Sequence, residues 1–483
     1  MIGIFDAVEA GGKEGRAKGC DCDSCPGGKG DSKGGCSAVR KAASSSHKGV
    51  FYANDFSYLC NSGCCDTYFG DSLKRLAVGN CWTVDVGGQY RMRFHNEQNI
   101  NNSGIPNNLG LTGDDDNFLL HRTRLYVNAE YGSHFRFYGE MLDALSELGS
   151  GPPRPIEENR TELQNLFIEF KGVDVGRGVV GARIGRQEIV LGAQRMVSPL
   201  DWANTRRTFE GARVMWKGDN WDVDGIWLRP MKRDFSGLDA PNLDRQLYGM
   251  YGTYKNLCRD HLEAYWLALD YEDVGVNGIR YDTVGARYWG NDGDWLYELE
   301  ASAQFGANSD NTDHSAGAVT AGLGRKFPCT VFSPTLWAYY DWASGDDTVG
   351  NGYHHYEPLA HKYLGFMDLF GRRNIQDMNL QLTANLTDKV KFLCWYHYFR
   401  LADGDDVPYN VTMSNFNGQA AGTSGSKDLG HELDFAITHN ITPRVSVLYG
   451  YSHFFAGDYY TTTAGVPHSG DADFAYLQWH VNF

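Results

Sequence analysis

From residue 82 to the end of the chain, apolar and polar residues alternate one by one, in segment after segment. In residues 295–305 the odd positions hold Trp, Tyr, Leu, Ala, Ala and Phe, and most of the even positions hold Glu, Ser or Gln. A period of two places successive side chains on opposite faces of a β-strand. We therefore predict an all-β fold whose strands meet an apolar environment on one face and a polar one on the other.

About eighteen such segments can be distinguished, and the lengths of their connections alternate. The segments are residues 82–95, 116–131, 134–144, 162–172, 178–187, 209–217, 220–229, 245–255, 260–272, 280–289, 294–305, 315–327, 332–343, 375–385, 388–401, 428–438, 443–456 and 472–483. Short turns such as 132–133 and 387–388 alternate with long polar loops such as 188–208 and 344–374. Short periplasmic turns and long outer loops are typical of transmembrane antiparallel up-and-down β-barrels. An even number of strands predicts that both termini are periplasmic.

Composition agrees with a barrel in the lipid bilayer of an outer membrane. Only 42% of the residues are hydrophobic, and no run approaches the ~18 apolar residues of a spanning helix, which excludes a helical membrane protein. The net charge of −16 argues against a nucleic-acid partner. The last strand ends in Phe483, which resembles the signal read by the barrel assembly machinery.

The first 81 residues differ from the rest, so we divide the chain into a leader (1–81) and a barrel (82–483). The leader is rich in Gly and Cys, shows no periodicity over residues 1–50, and is expected to be partly flexible. It holds eight of the eleven cysteines: Cys20, Cys22, Cys25, Cys36, Cys60, Cys64, Cys65 and Cys81. These predict periplasmic disulfides, within the leader or between molecules, with zinc at Cys22 and Cys25 as an alternative. Cys258, Cys329 and Cys394 are expected to be unpaired. No apolar signal segment is visible in residues 1–19, so the start is expected to be a mature terminus or a truncated gene product.

A barrel of this size should enclose a channel lined by the polar strand faces. The inward positions of the early strands, with one later position, include Arg91, Arg93, Arg122, Arg124, Arg136, Arg183, Arg213 and Arg287, whereas later strands offer Glu298, Glu300, Asp377, Glu432 and Asp434. A ladder of arginines attracts carboxylates and phosphates. Alternatively, these arginines pair with the inward residues Glu130, Glu140 and Glu169 and only satisfy a polar lumen.

Other chemistry has weaker support. The acidic loop clusters at 114–116, 346–347 and 403–406 offer oxygen ligands for Ca²⁺, but none has the spacing of a defined calcium loop. His354, His355 and His361 lack the pattern of a transition-metal site. No nucleophile elbow is present. We therefore predict a protein without a cofactor that is not an enzyme.

The stretch RIGRQEIVLGAQRMVSPLDWANTRRTFEGARV, residues 183–214, resembles the core motif of the alginate export family. The matching positions are Gly185, Arg186, Gln187, Glu188, Gly192, Gln194, Arg195, Asn204, Arg207, Phe209, Gly211 and Arg213. The resemblance implies a monomeric 18-stranded outer-membrane barrel with an Arg-lined pore for an anionic polysaccharide. It adds Arg186, Arg195 and Arg207 to the candidate pathway cations. It also implies a long periplasmic plug between the sixteenth and seventeenth strands, which residues 438–443 are too short to form.

Three functions follow from these features. The first is an outer-membrane channel for anionic, uronate-type polysaccharide or other anions. The second is a general diffusion porin for small nutrients, with a transverse field between basic and acidic walls. The third is a structural outer-membrane protein that its Cys-rich leader cross-links to neighbours.

Overall fold

The dominant feature of the computed structural model is one antiparallel sheet that closes on itself. The structure describes residues 34–60, 66–100, 111–234, 237–416, 425–466 and 469–483. The barrel strands are β1 (Trp82–Gln98), β2 (Asp115–Tyr131), β3 (Phe135–Glu147), β4 (Asn159–Val175), β5 (Gly178–Gln187), β6 (Phe209–Gly218), β7 (Trp221–Lys232), β8 (Arg245–Tyr254), β9 (Asp260–Tyr271), β10 (Ile279–Asp292), β11 (Trp295–Ala307), β12 (Asp313–Lys326), β13 (Thr335–Ala343), β14 (Ile375–Asn385), β15 (Val390–Arg400), β16 (Asp428–Thr442), β17 (Val445–Ala456) and β18 (Ala472–Asn482). Each pairs with the next, and β18 pairs with β1. The prediction of an 18-stranded antiparallel barrel is confirmed, and each predicted segment falls on one strand.

Alternation along the strands sorts side chains between the lumen and the outside. On β1, Tyr90, Met92 and Phe94 are exposed on the outer surface, whereas Arg91 and Arg93 are buried in the lumen. The same pattern on the other strands gives the barrel an apolar outer surface. Such a surface is stable only in an apolar solvent such as the hydrocarbon region of a bilayer. No helix among the described residues is long and apolar enough to cross a membrane.

The two ends of the barrel differ in their connections. At one end the turns are short, and β16 and β17 are joined by residues 443–444 alone. A two-residue connection has no room for the long plug that the resemblance implied between these strands. At the other end the loops include residues 188–208 and 344–374. The C-terminus lies at the short-turn end, where Phe483 N donates to Gly88 O at 3.0 Å.

The expectation of an open interior is wrong, because two long loops fold into the lumen. We call residues 188–208 the constriction loop and residues 344–374 the inner loop; the latter contains a short 3-10 helix, Ala360–Lys362. Their apolar side chains share one cluster with inward strand residues. The ring of Phe366 lies 5.9 Å from that of Trp395, and the ring of Phe370 lies 4.9 Å from that of Phe399. Strand alternation reports on strand faces only, so it could not predict that loops bury apolar side chains inside the barrel.

Part of the leader also enters the lumen. Helix α1 (Gly34–Ser44) is followed by 3-10 turns at Phe51–Ala53, Ser57–Cys60 and Asp71–Leu73, and a short strand, Leu76–Val78, pairs with the start of β1. We call residues 46–58 the lumen segment. Val50, Phe51 and Tyr52 pack against inward rings of β2, β3 and β4. The remaining short elements are a two-residue strand, Ala240–Pro241, and α2 (Tyr459–Thr462).

Candidate functional site

The first two strands bring four arginines to the lumen. Arg91 and Arg93 on β1 and Arg122 and Arg124 on β2 are each at most 3% exposed. Arg91 lies directly opposite Arg122 in the sheet register. Four like charges this close repel one another and must find acceptors inside the barrel.

Backbone carbonyls of the constriction loop supply many of these acceptors. Arg91 donates from its two Nη atoms to Asp201 O at 2.9 Å and to Ala203 O at 3.1 Å. Arg93 donates to Trp202 O at 2.5 Å, and its guanidinium lies 3.8 Å from the centroid of the Trp202 ring. Carbonyls and rings carry no net charge. These contacts therefore fix the loop to the wall but leave the positive charge of the two arginines uncancelled.

Three carboxylates neutralise part of this wall: Glu140, Glu188 and Asp201. Arg122 Nη2 lies 2.9 Å from Asp201 Oδ1. Arg124 Nη2 lies 2.5 Å from Glu140 Oε1 and 3.2 Å from Glu188 Oε2. Arg206 of the constriction loop contacts both Glu188 and Asp201. We call Arg91, Arg93, Arg122, Arg124 and Arg206 the basic cluster; among the described residues its ion pairs are with these three carboxylates, so it keeps a surplus of positive charge.

Three further candidates, Arg136, Arg183 and Arg186, each pair with a carboxylate of a neighbouring strand. Arg136 lies 2.9 Å from Glu130 and 3.6 Å from Glu169. Glu169 also contacts Arg183, and Arg186 lies 2.5 Å from Glu162. The structure thus contains the pairs expected if arginines satisfy a polar lumen, with Glu130, Glu140 and Glu169 as partners.

The expected acidic wall is neutralised at β11. Arg195 of the constriction loop crosses the lumen and lies 2.6 Å from Glu298 and 2.7 Å from Glu300. Arg287 on β10 lies 2.8 Å from Glu298 and 3.1 Å from Glu263. Two arginines thus pair with three carboxylates here, and the constriction loop is joined directly to the barrel wall.

Two candidates lie away from the basic cluster. Arg207 Nε lies 2.8 Å from Glu357 Oε2 and joins the constriction loop to the inner loop. Arg213 on β6 lies 2.8 Å from Asp224 on β7. The structure therefore places all eleven predicted arginines inside the barrel, but it distributes them over several groups instead of one continuous ladder.

Several of these guanidiniums keep an unused N–H. Buried nitrogens without an acceptor among the described residues include Nε of Arg91, Nε and Nη1 of Arg93, Nη1 of Arg183, and Nε of Arg186 and Arg195. A buried donor without a partner is costly. These atoms are the positions at which water or the oxygen of an anion would gain most.

A cavity of about 100 Å³ lies beside the basic cluster. Its lining includes His47 and Lys48 of the lumen segment, Arg91, and His361 and Lys362 of the inner loop. Asp201 is its acidic lining residue, and Arg122 and Arg206 already hold that carboxylate. The volume fits about three water molecules, so in this conformation it admits small ions and no sugar chain.

The late strands carry a separate acidic group formed by Asp377, Glu432 and Asp434. His397 Nδ1 lies 2.9 Å from Asp377 Oδ2, and Glu432 accepts the N–H of Met367 at 2.9 Å. One oxygen of each carboxylate has no donor among the described residues. On the side of the late strands the lumen therefore has carboxylate oxygens without a hydrogen-bond donor. On the side of the early strands it has arginine N–H groups without an acceptor.

Sequence reasoning missed the loop residues that shape the constriction. The indole of Trp202 is stacked 3.6 Å from the imidazole of His361, whose Nδ1 lies 2.9 Å from Asp368. Arg206, at the centre of the basic cluster, was also missed. Its Arg-Arg dipeptide with Arg207 was visible in the sequence, but nothing there indicated that the loop folds inward.

His355 of the inner loop uses both of its ring nitrogens in hydrogen bonds. His355 Nδ1 accepts the N–H of Arg372 at 3.2 Å, and its Nε2 lies 3.1 Å from Val411 O. Burial lowers the pKa of His355 to about 3, which agrees with a neutral ring that accepts at one nitrogen and donates at the other. No group of three His, Cys, Asp or Glu within the described ranges could hold a metal ion.

The cysteines of the barrel are unpaired, as expected, whereas most cysteines of the leader lie outside the described residues. Cys258, Cys329 and Cys394 are free thiols. Cys20, Cys22, Cys25, Cys64 and Cys65 lie outside the described residues. Disulfides and zinc in the leader therefore stay predictions.

The closed barrel with its constricted polar lumen defines the protein as an outer-membrane barrel of the channel type. The family profile described as "Alginate export" matches residues 83–471, and the chain belongs to this family.

Solved structures share the fold at low sequence identity. OccK5 (OpdH) and OccK9 (OpdG) of Pseudomonas aeruginosa each superpose with a TM-score of 0.55 at 12% identity, covering 83% of this chain and 98% of theirs. OccAB1 of Acinetobacter baumannii gives a TM-score of 0.54 at 10% identity, covering 83% of this chain and 96% of its own. No curated protein matches.

Proposed function

We propose that the protein conducts anionic solutes, and uronate-type polysaccharide in particular, through its lumen without catalysing a reaction. The observation that carries the proposal is the uncancelled positive charge of the basic cluster beside the cavity. Arg91 and Arg93 bind neutral carbonyls of the constriction loop and retain unused N–H donors. Fixed guanidiniums attract carboxylates at every pH of biological interest, because arginine keeps its charge.

Family membership supports the polysaccharide as substrate. Alginate is a polymer of uronates, one carboxylate per sugar, and a chain of this kind would meet the pathway cations in succession. Arg91, Arg93, Arg122, Arg124, Arg136, Arg183, Arg186, Arg195, Arg207, Arg213 and Arg287 are the proposed pathway residues. Passage of a sugar chain requires the constriction and inner loops to move, because the cavity beside the cluster is too small.

Liposome swelling tests the substrate class. Vesicles that contain the protein should take up oligouronates faster than neutral oligosaccharides of equal length. Arg91→Gln should reduce this preference, because it removes a charge that no carboxylate balances. Arg160→Gln/Asp143→Asn is the matched control: this ion pair, 3.0 Å between Nε and Oδ2, is not among the pathway residues, and removing both charges leaves the net charge unchanged. Equal uptake of charged and neutral sugars would refute the proposal.

A general diffusion porin is the second candidate, and the acidic group at Asp377, Glu432 and Asp434 favours it. Opposed basic and acidic sides create a field across the lumen that selects polar solutes without preferring one sign. Replacement of Glu432 and Asp434 by Gln and Asn separates the two functions. An anion channel should then prefer anions more strongly, whereas a general porin should lose rate for neutral polar nutrients as well.

The remaining expectations concern the cell envelope. We propose that the short-turn end and both termini face the periplasm, and that the barrel assembly machinery inserts the chain. Intermolecular disulfides through the leader are the basis of the structural alternative. Non-reducing gels of membranes test it: disulfide-linked multimers would support a cross-linking role, and a single monomer band would exclude it.

A further inference from the structure

The lumen segment, residues 46–58, packs Val50, Phe51 and Tyr52 inside the barrel. Its Phe51 and Tyr52 side chains are 3% and 7% exposed. The ring of Tyr52 lies 5.5 Å from that of Phe167 and 6.0 Å from that of Tyr138. Both of these partners are inward residues of barrel strands, so the segment fills the interior at the short-turn end.

The same two rings cover arginines of the lumen wall. Phe51 lies with its centroid 3.9 Å from the guanidinium carbon of Arg124, and Tyr52 lies 4.2 Å from that of Arg183. Arg136 also donates to Tyr52 O at 3.1 Å. While the segment is docked, ring faces occupy the guanidinium surfaces that a passing anion would use.

The segment also contacts the constriction loop. Tyr52 donates its hydroxyl to Glu188 O at 2.7 Å, and Arg206 donates to Gly49 O at 2.9 Å. Residues from the leader and from a loop that starts at the opposite end thus meet inside the barrel. Each supports the closed position of the other.

No strand pairing holds the segment in place within the described structure. Its backbone-to-backbone hydrogen bonds stay within the leader, as from Asp55 N to Ser46 O at 2.9 Å, and from the rest of the described chain only side chains of the barrel and the constriction loop bond to its carbonyls. The barrel ladder is complete without it, because β18 pairs with β1. The segment can therefore leave without opening the sheet, whereas removal of a strand would destroy the barrel.

Arg444, in the turn between β16 and β17, anchors the segment at the rim. It donates to Ala43 O at 2.9 Å, to Ser46 Oγ at 3.1 Å and to Asp71 Oδ1 at 2.8 Å. The Arg444 side chain is thus directed to the leader, while its backbone serves the turn. Replacing this side chain breaks its contacts with the leader and leaves the side chains of the lumen wall unchanged.

We propose that residues 46–58 are a built-in plug that closes the short-turn end of the lumen and must be displaced before large solutes pass. The closure is autoinhibitory: the chain places its own aromatic residues on the wall arginines. The proposal does not depend on which solute the channel carries.

Single-channel recording of the full chain in symmetric KCl tests the plug. The double variant Phe51→Ala/Tyr52→Ala removes both rings, and its mean conductance should rise about threefold or more over the unmodified chain. Phe69→Ala is the matched control, because that leader ring is 65% exposed and packs on Phe483 outside the lumen. Its conductance should stay unchanged. A folded double variant that conducts like the unmodified chain would overturn the proposal.

Arg444→Ala provides a second route if the double variant does not fold. It removes only the anchor at the rim, and it should raise the mean conductance about twofold through more frequent openings. Heat-modifiable migration on gels verifies a folded barrel. Unchanged conductance of folded Arg444→Ala and of the double variant would show that the segment is a permanent lining. Because the KCl concentration is equal on both sides of the membrane, this experiment does not measure ion selectivity. Unchanged conductance would therefore overturn the plug and leave the proposed anion channel untested by this result.

Discussion

At the scale of single residues, the lumen is organised by the balance of buried charge. Glu188 is the clearest example: its carboxylate contacts Arg206, lies 3.2 Å from Arg124 and accepts from Gln164 at 3.1 Å. Burying an ion is expensive unless its partners compensate. The Glu188 carboxylate thus allows Arg124 of the barrel wall and Arg206 of the constriction loop to lie close together.

Glu188→Gln should destabilise the barrel strongly, because it leaves two buried guanidiniums without their shared counter-charge. We expect the free energy of unfolding to fall by about 3 kcal/mol. Urea unfolding in detergent measures it. Glu210→Gln is the matched control, since that carboxylate is half exposed and lies 3.8 Å from Arg186; its effect should stay below about 1 kcal/mol. Equal losses in the two variants would contradict the central position of Glu188.

His47 should make docking of the lumen segment sensitive to acid. Burial lowers its pKa from 6.5 to about 2, and the nearby cations Arg444, Lys74 and any protonated His480 add repulsion. A displaced His47 regains its ordinary pKa, so protons bind preferentially to the displaced state. Docking is therefore fully stable above the unperturbed pKa and weakens as the pH falls below it.

Conductance of the unmodified chain should accordingly rise between about pH 7 and about pH 5. His47→Gln cannot bind the proton, and its conductance should change much less over this range. Recording both proteins in the same buffers measures the difference. An equal rise in both would assign the acid response to other groups.

At the scale of elements, the constriction loop matters most, and its shape depends on Gly192. This residue has φ +46°, and a Cβ there would lie 1.8 Å from the hydroxyl of Tyr251 and 3.0 Å from Glu263 Oε2. Backbone in the left-handed region favours glycine. The glycine thus allows the loop to cross the lumen and reach the far wall, where Arg195 meets Glu298.

Gly192→Ala should push the loop away from Tyr251 and widen the lumen. We expect a higher conductance together with a lower melting temperature. Gly176 is the matched control: it also has positive φ, +62°, but nothing lies within 4 Å of its added Cβ. Gly176→Ala should cost about 1 kcal/mol of stability and leave conductance unchanged. A Gly192→Ala protein with unaltered conductance would show that the loop does not set the width.

The elements also show where sequence reasoning succeeds and where it stops. Strands could be predicted because each of their positions carries a period-two signal, as for Arg91 between the apolar residues Tyr90 and Met92. The path of a loop has no such signal. Arg195 was recognised through its family motif, but its contact with Glu298 joins residues about a hundred positions apart, and only the folded barrel brings them together.

At the scale of the whole molecule, the distribution of charge matters more than its total. The chain carries −16 overall, yet the early side of the lumen has a surplus of guanidiniums and the late side a group of carboxylates. Composition argued against spanning helices, and no helix in the described part of the chain could cross a membrane. Composition could not show the sign of the electrostatic field in the lumen, because that sign depends on which charged side chains are left without an ion-pair partner inside the barrel.

The central claim is that this uncancelled positive charge selects anions. The most direct test is the reversal potential of the full chain in a planar bilayer under a KCl gradient, recorded for the unmodified chain and for Arg91→Gln/Arg93→Gln. We expect chloride selectivity in the unmodified chain and weaker chloride selectivity in the double variant. Potassium selectivity that stays the same in both proteins would contradict it.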